Sequence, residues 1–234
     1  MLRAAYDRLY LPLLTRLLPF ARSSETTMAL VDRLAKVRSA EYVLAQLEGA
    51  VLFDDHLECL SFATRRALER KGTEDVFLEF GVYRGRTLRR IAALAEPSRV
   101  AGFDTFEGLP ADWTGHTLRR GYYSTGGRLP RVPAGCALYP GLFADTIPRF
   151  LAERPAARAA FVHVDCDLYE STCDVLNLLG ERLGPGSVLL FDEHHGYPGW
   201  EHGEHLAFHQ WATATGRGFR YIAFSVESAA VELL

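Results

Sequence analysis

The chain has 234 residues, 48% hydrophobic and 24% charged side chains, and a net charge of −3. That apolar content suffices for one sizeable α/β core with an extension, and the absence of surplus Lys and Arg excludes a general nucleic-acid binder, which works by releasing counterions from phosphates. Four cysteines, Cys59, Cys136, Cys166 and Cys173, show neither CxxC pairing nor the density of a disulfide-stapled scaffold, so the sequence reads as cytoplasmic.

At the N-terminus Leu2, Tyr6, Leu9, Leu13 and Leu17 recur at helical spacing, with Arg3, Arg8, Arg16 and Arg22 among them. Pro12 and Arg16 interrupt the apolar run, which leaves neither a signal-peptide core nor a membrane span. The reading is an amphipathic helix over 3–18 that packs on the core or on a second subunit, with a homodimer as the expected assembly and no stable membrane insertion. Two further helices are predicted around 26–38 and 55–70, making residues 1–72 an N-terminal helical extension of a catalytic domain over 73–234.

From Asp75 the period changes. Short apolar runs alternate with helical stretches: VFLEF, a helix from Arg86, RVAGF, CALYP, a helix from Thr146, AFVHV, a helix from Tyr169, and SVLLF. Such alternation predicts five parallel strands joined by crossover helices. A last helix from about His202 to Ala214 precedes FRYIAF and AAVEL, which are close enough to form an antiparallel hairpin. The longest irregular segment, 107–133, carries Trp113, Tyr122, Tyr123 and four arginines, and reads either as a solvated loop or as a lid over a substrate.

The turn Glu79-Phe80-Gly81-Val82-Tyr83-Arg84-Gly85 sits where the first of these strands becomes a helix. Glycines there permit a sharp turn and close approach of a ligand, and the helix start offers unpaired amides. Asp104 ends the next strand, about twenty residues on, where a carboxylate accepts from ribose hydroxyls. The GxxxG spacing lacks the GxGxxG that a dinucleotide pyrophosphate requires, and Glu79 would welcome an ammonium group, so a nucleoside carrying an amino acid fits better than NAD.

The stretches EFGVYRGRTL, GFDTFEGLP, GLFADTIP, VHVDCDLYEST and LLFDEHHGYPGW, in this order, resemble the macrocin O-methyltransferase family of metal-dependent class I methyltransferases that use S-adenosylmethionine (SAM). The likeness runs from about Asp75 to the C-terminus. It implies a Rossmann-like fold with a seven-stranded, mostly parallel sheet, a divalent cation, usually Mg²⁺, and methylation of a hydroxyl, often on a sugar of a natural product. It also implies that Glu79, Gly81, Tyr83, Gly85, Asp104, Thr105 and Asp165 line SAM, with Leu142 and Phe143 near the adenine.

Asp165 ends one predicted strand, and Asp192 and Glu193 end the next, so three carboxylates converge where ligands of a parallel sheet bind. Their mutual repulsion is relieved by a cation, and oxygen donors of this kind suit Mg²⁺. Asp167, with Glu170 three residues later, fits a helix capping box, whereas the family reading makes it the general base. His194 and His195 follow the acidic pair and are alternative bases. His163, within a central strand, reads as a hydrogen-bonded core residue; His202, His205 and His209 read as a solvated face or the rim of a substrate pocket. The expected chemistry is metal-assisted methyl transfer from SAM to a small-molecule or oligosaccharide hydroxyl, with a sugar or catechol diol favoured. A metal-independent carboxyl or phenol methyltransferase, and a catalytically silent SAM-binding partner, are the alternatives.

Overall fold

The computed structural model describes residues 26–69, 72 and 74–234, so the helix expected over 3–18 lies outside the described residues. The chain divides into two compact units, residues 1–34 and 35–234. Helix α1, Thr27–Ala45, runs across that division; everything below concerns the second unit.

In chain order there follow β1 (Val51–Leu52), α2 (His56–Leu68), β2 (Asp75–Phe80), α3 (Arg86–Leu94), β3 (Val100–Asp104), β4 (Ala137–Pro140), α4 (Phe143–Glu153), β5 (Arg158–Val164), α5 (Tyr169–Leu179), β6 (Val188–Phe191), α6 (Glu204–Thr215), β7 (Phe219–Phe224) and β8 (Ala229–Leu233). All strands among the described residues join one sheet in the order β1-β7-β8-β6-β5-β2-β3-β4. The five strands β2 to β6 are parallel, and β8 runs antiparallel to both β6 and β7. The sheet therefore has the seven expected strands plus an eighth. That addition, β1, is only two residues long and has no readable period; it forms by pairing parallel to the outer edge of β7, and Phe53 N continues the ladder to Phe224 O at 2.9 Å.

Successive side chains of a strand point to opposite faces, so strands covered on both sides need apolar residues throughout. In β2, Val76, Leu78 and Phe80 face one layer while Phe77 faces the other. The first layer is built with Ile147 and Phe150 of α4, Val175, Leu176 and Leu179 of α5, and Phe208 and Trp211 of α6. The second uses Cys59, Leu60 and Ala63 of α2 and Leu88 and Ile91 of α3. From β2 the chain moves outward through β3 and β4, then returns to the other side of β2 as β5 and β6. This reversal opens a crevice at the carboxyl ends of β2 and β5.

Gly81 closes that crevice from below. It has φ +95°, and a Cβ there would lie 1.6 Å from the Asp165 carbonyl oxygen. Gly81→Ala is therefore expected to cost about 3 kcal/mol or more through backbone strain and overpacking, read as a lowered midpoint in urea unfolding. An unchanged midpoint would show that the β2 and β5 ends move apart freely.

Candidate active site

A cavity of about 490 Å³ lies at the carboxyl ends of β2, β3, β5 and β6. Its lining includes Gly81, Tyr83, Asp104, Thr105, Leu142 and Phe143, together with Asp165, Asp167, Asp192 and Glu193. The 107–133 segment contributes Gly108 to Ala111 and Tyr123 to the wall. It is not merely solvated: Trp113 is buried with Leu109, Leu168, Tyr197 and Trp200, Leu109 N donates to Tyr122 O, and Leu109 O accepts from Gly121 N.

Asp104 organises the β2 and β3 ends. Its Oδ2 accepts from Val82 N at 2.8 Å and Tyr83 N at 2.7 Å, and its Oδ1 accepts from Phe106 N at 2.6 Å. One carboxylate thus pins both loops that face the cavity. Tyr83, Tyr123 and Asp167, all in the lining, have left-handed backbone at φ 47°, 67° and 63°. Non-glycine residues in this region store strain, which persists only where surrounding contacts hold it.

The acidic groups meet as follows. Asp165, Asp167 and Glu193 each bring a carboxylate oxygen within 4.8 Å of the others. Burial, followed by the charge of Asp192, pushes the Asp165 and Glu193 carboxyls well above their ordinary range. Asp167 is pushed up to about 7 by burial and by the charges of Asp192 and Asp104. Asp192 behaves in the opposite way: burial disfavours its charge, but the hydrogen bond and charge of His56 outweigh that and hold it down to about 2. Its Oδ1 lies 2.7 Å from His56 Nδ1 and accepts from Ser228 Oγ at 2.9 Å.

Several expected residues stand elsewhere. Glu79 lies beneath the cavity and is fully buried, its Oε1 3.0 Å from Nδ1 of the equally buried His163. Gly85 has φ +71° and caps the start of α3, against Arg89 and Pro130. His194 and His195 are also absent from the lining. The ring of His194 turns away to Tyr221 and His205, and His195 is buried beside Phe224, because the backbone of both residues is tied to Glu227 O in the β7–β8 turn. Asp167 forms no capping box: the N-cap of α5 is Leu168, without a side-chain cap bond, since left-handed Asp167 is one residue too early. Nor are His205 and His209 a solvated face, because both pack against Tyr42 and His194.

Two contributors escaped the sequence reading. Glu204 is fully buried and accepts from Cys166 N at 3.3 Å and Glu193 N at 3.2 Å, bracing both carboxylate-bearing loops. Its signal was present, since Glu204 shares a helix face with Ala207, Phe208 and Trp211, where a carboxylate has no place unless it is held. His56 opens α2 directly after its Asp55 cap, and nothing local marks it as the partner of Asp192.

Comparison with known proteins follows the same lines. A tetracenomycin-C rhamnosyl 4'-O-methyltransferase of Streptomyces olivaceus is 44% identical over 55 residues, 24% of this chain. The matching stretch spans only 20% of that relative's length. Among solved structures, the calicheamicin methyltransferase CalS11 is 27% identical, with a TM-score of 0.61, over 89% of this chain and 93% of its own. Its apo form, described as a TDP-rhamnose 3'-O-methyltransferase, is 26% identical with a TM-score of 0.55, over 89% and 95% of the two chains. The O-methyltransferase NovP shares the fold, at 20% identity and a TM-score of 0.58 over 75% and 78% of the chains. The family described as "Methyltransferase domain" matches residues 78–194, half of the chain and the stretch that supplies the Gly81 turn, Asp104, Asp165, Asp167, Asp192 and Glu193, and the chain belongs to that family.

Proposed function

We propose that this chain is a SAM-dependent O-methyltransferase acting on a sugar hydroxyl, with help from a divalent cation. The observation that carries the reading is the cavity itself: a glycine turn and Asp104 line it together with the carboxylates of Asp165, Asp167, Asp192 and Glu193, in a methyltransferase domain. Two of the similar proteins, the tetracenomycin-C enzyme and CalS11, act on rhamnosyl groups by their descriptions, which makes a rhamnosyl glycoside or a rhamnosyl nucleotide the first acceptor to try.

The donor set suits a hard cation. The ligating atoms are carboxylate oxygens, and Glu193 Oε2 is buried without a hydrogen-bond partner. We assign Asp165 and Glu193 to the cation on the geometry they share with Asp167, and Asp192, which groups instead with His56 and His163, as a further ligand that His56 and Ser228 would orient. When bound, SAM supplies an electrophilic methyl group, and the cation supplies positive charge that makes a neighbouring hydroxyl more acidic.

Asp167 takes the proton. It lines the cavity beside Asp165 and Glu193, and no histidine does. Leu109, Pro110 and Leu168 in the lining exclude water and hold the acceptor in place, which contributes the positional part of the rate enhancement. Asp104 positions the cofactor through the Val82, Tyr83 and Phe106 amides. Asp104→Ala is expected to weaken S-adenosylhomocysteine by about 1.5–3 kcal/mol in titration calorimetry, since a charged hydrogen-bond set is lost. Unchanged affinity would remove Asp104 from the cofactor site.

The function is tested by incubating the protein with methyl-labelled SAM, Mg²⁺ and rhamnosyl acceptors. Label on a sugar oxygen is the expected result. Label on a carboxyl or phenol instead, undiminished by chelator, would favour a metal-independent methyltransferase.

A further inference from the structure

Beside the cavity, but outside its lining, three imidazoles meet. His205 and His209 are i and i+4 on α6, hence on one helix face, with ring centroids 4.4 Å apart. His194, just past β6, projects toward them, and its Nε2 is 3.2 Å from His205 Nδ1. One ring nitrogen from each of the three lies within 4.8 Å of the others.

We propose that His194, His205 and His209 form a second metal site, for a borderline divalent cation such as Zn²⁺, chemically distinct from the carboxylate cavity. Zinc binds imidazole nitrogens at about 2.0–2.1 Å in a tetrahedron, which sets neighbouring donor atoms about 3.3 Å apart. The His194–His205 separation of 3.2 Å is close to that edge. The Tyr221 hydroxyl stands 2.9 Å from His194 Nε2 and 3.2 Å from His209 Nε2, where a fourth donor belongs. Tyr42 Oη, 3.0 Å from His209 Nε2, closes the outer side.

The donors decide which cation enters. Imidazole with a phenol oxygen suits Zn²⁺, Ni²⁺ or Cu²⁺, while the all-carboxylate cavity suits Mg²⁺. Metal ligation requires neutral imidazole, and burial already holds His205 and His209 below their ordinary range. His205 and His209 are half-buried, which leaves an entry path. A cation here would tie α1 through Tyr42, β6 through His194, α6 through two ligands and β7 through Tyr221. The role is structural, and it does not depend on the acceptor proposed above.

The test uses the purified full chain, stripped of metal and dialysed against Zn²⁺ in excess Mg²⁺. We expect one zinc retained per chain, a raised melting temperature, and an intense tetrahedral visible spectrum when Co²⁺ replaces zinc. The double variant His205→Gln, His209→Gln is expected to bind zinc about a hundredfold more weakly or worse, and to lose both the cobalt spectrum and the thermal shift, while Mg²⁺-dependent turnover persists. The single variant His209→Gln gives the same reading should the double variant not fold. Failure of the wild-type chain to retain zinc, a weak octahedral cobalt spectrum, or equal zinc retention by the variants would overturn the site. None of these results would touch the methyl-transfer reading, which fails only on its own assay.

Discussion

Asp167→Asn is expected to lower methyl-transfer turnover by about two to four orders of magnitude while leaving the fold and S-adenosylhomocysteine affinity intact. The substitution is well suited to the position. Asn tolerates left-handed backbone nearly as well as Asp, so φ 63° carries over without new strain. What is lost is the capacity to accept a proton. Burial and neighbouring charge push Asp167 up to about 7, so its deprotonated form, the one that accepts a proton, is gained as pH rises through neutrality. The wild-type rate should therefore fall on the acid side, and Asp167→Asn should lose that limb of the profile along with most of its activity. Retained metal affinity assigns Asp167 to the proton; loss of metal together with turnover would make it a ligand.

Removal of the divalent cation should be about as costly. Chelator is expected to reduce turnover by about a hundredfold or more, with recovery on adding Mg²⁺, because an unassisted sugar hydroxyl is a poor nucleophile at neutral pH. Cofactor affinity should change little, since Gly81 and Asp104, assigned to the cofactor, are not among the cation's proposed ligands. Asp192→Asn should reproduce the loss of metal. It also weakens the bond to His56, whose imidazole is raised by the hydrogen bond and charge of Asp192 against the opposing effect of burial. A moderate fall in stability, about 1–3 kcal/mol, should accompany it. Full activity in chelator together with full activity of Asp192→Asn would contradict the metal assignment.

How much of this was legible beforehand differs by kind of information. The parallel strands were readable because short, largely apolar runs such as VFLEF and AFVHV, each broken only by one polar residue, are what a sheet covered on both faces demands. The carboxylates were readable because strand ends of a parallel sheet converge whatever the connecting helices do, and Asp165, Asp192 and Glu193 all line the same cavity. Side-chain direction was not readable in the same way. His194 and His195 stand directly after Glu193 in sequence, yet their backbone is tied to the β7–β8 turn some thirty residues later, which turns both rings from the cavity. The capping box at Asp167 and Glu170 satisfied a local rule that the left-handed Asp167 backbone overrides. His56 acts through a partner far along the chain, Asp192, and local pattern carries no trace of that pairing; the apolar helix face of Glu204 marks it as held, but not as the partner of Cys166.

The central claim is methyl transfer from SAM to a sugar oxygen within the carboxylate cavity, and one measurement meets it directly. Single-turnover reaction of wild-type and Asp167→Asn protein with methyl-labelled SAM, Mg²⁺ and a rhamnosyl glycoside or rhamnosyl nucleotide, followed by NMR of the product, locates the label. The account predicts a methyl ether on a sugar hydroxyl with the wild-type chain and almost none with Asp167→Asn. SAM bound by both proteins, but with no label on any hydroxylated acceptor, would contradict it.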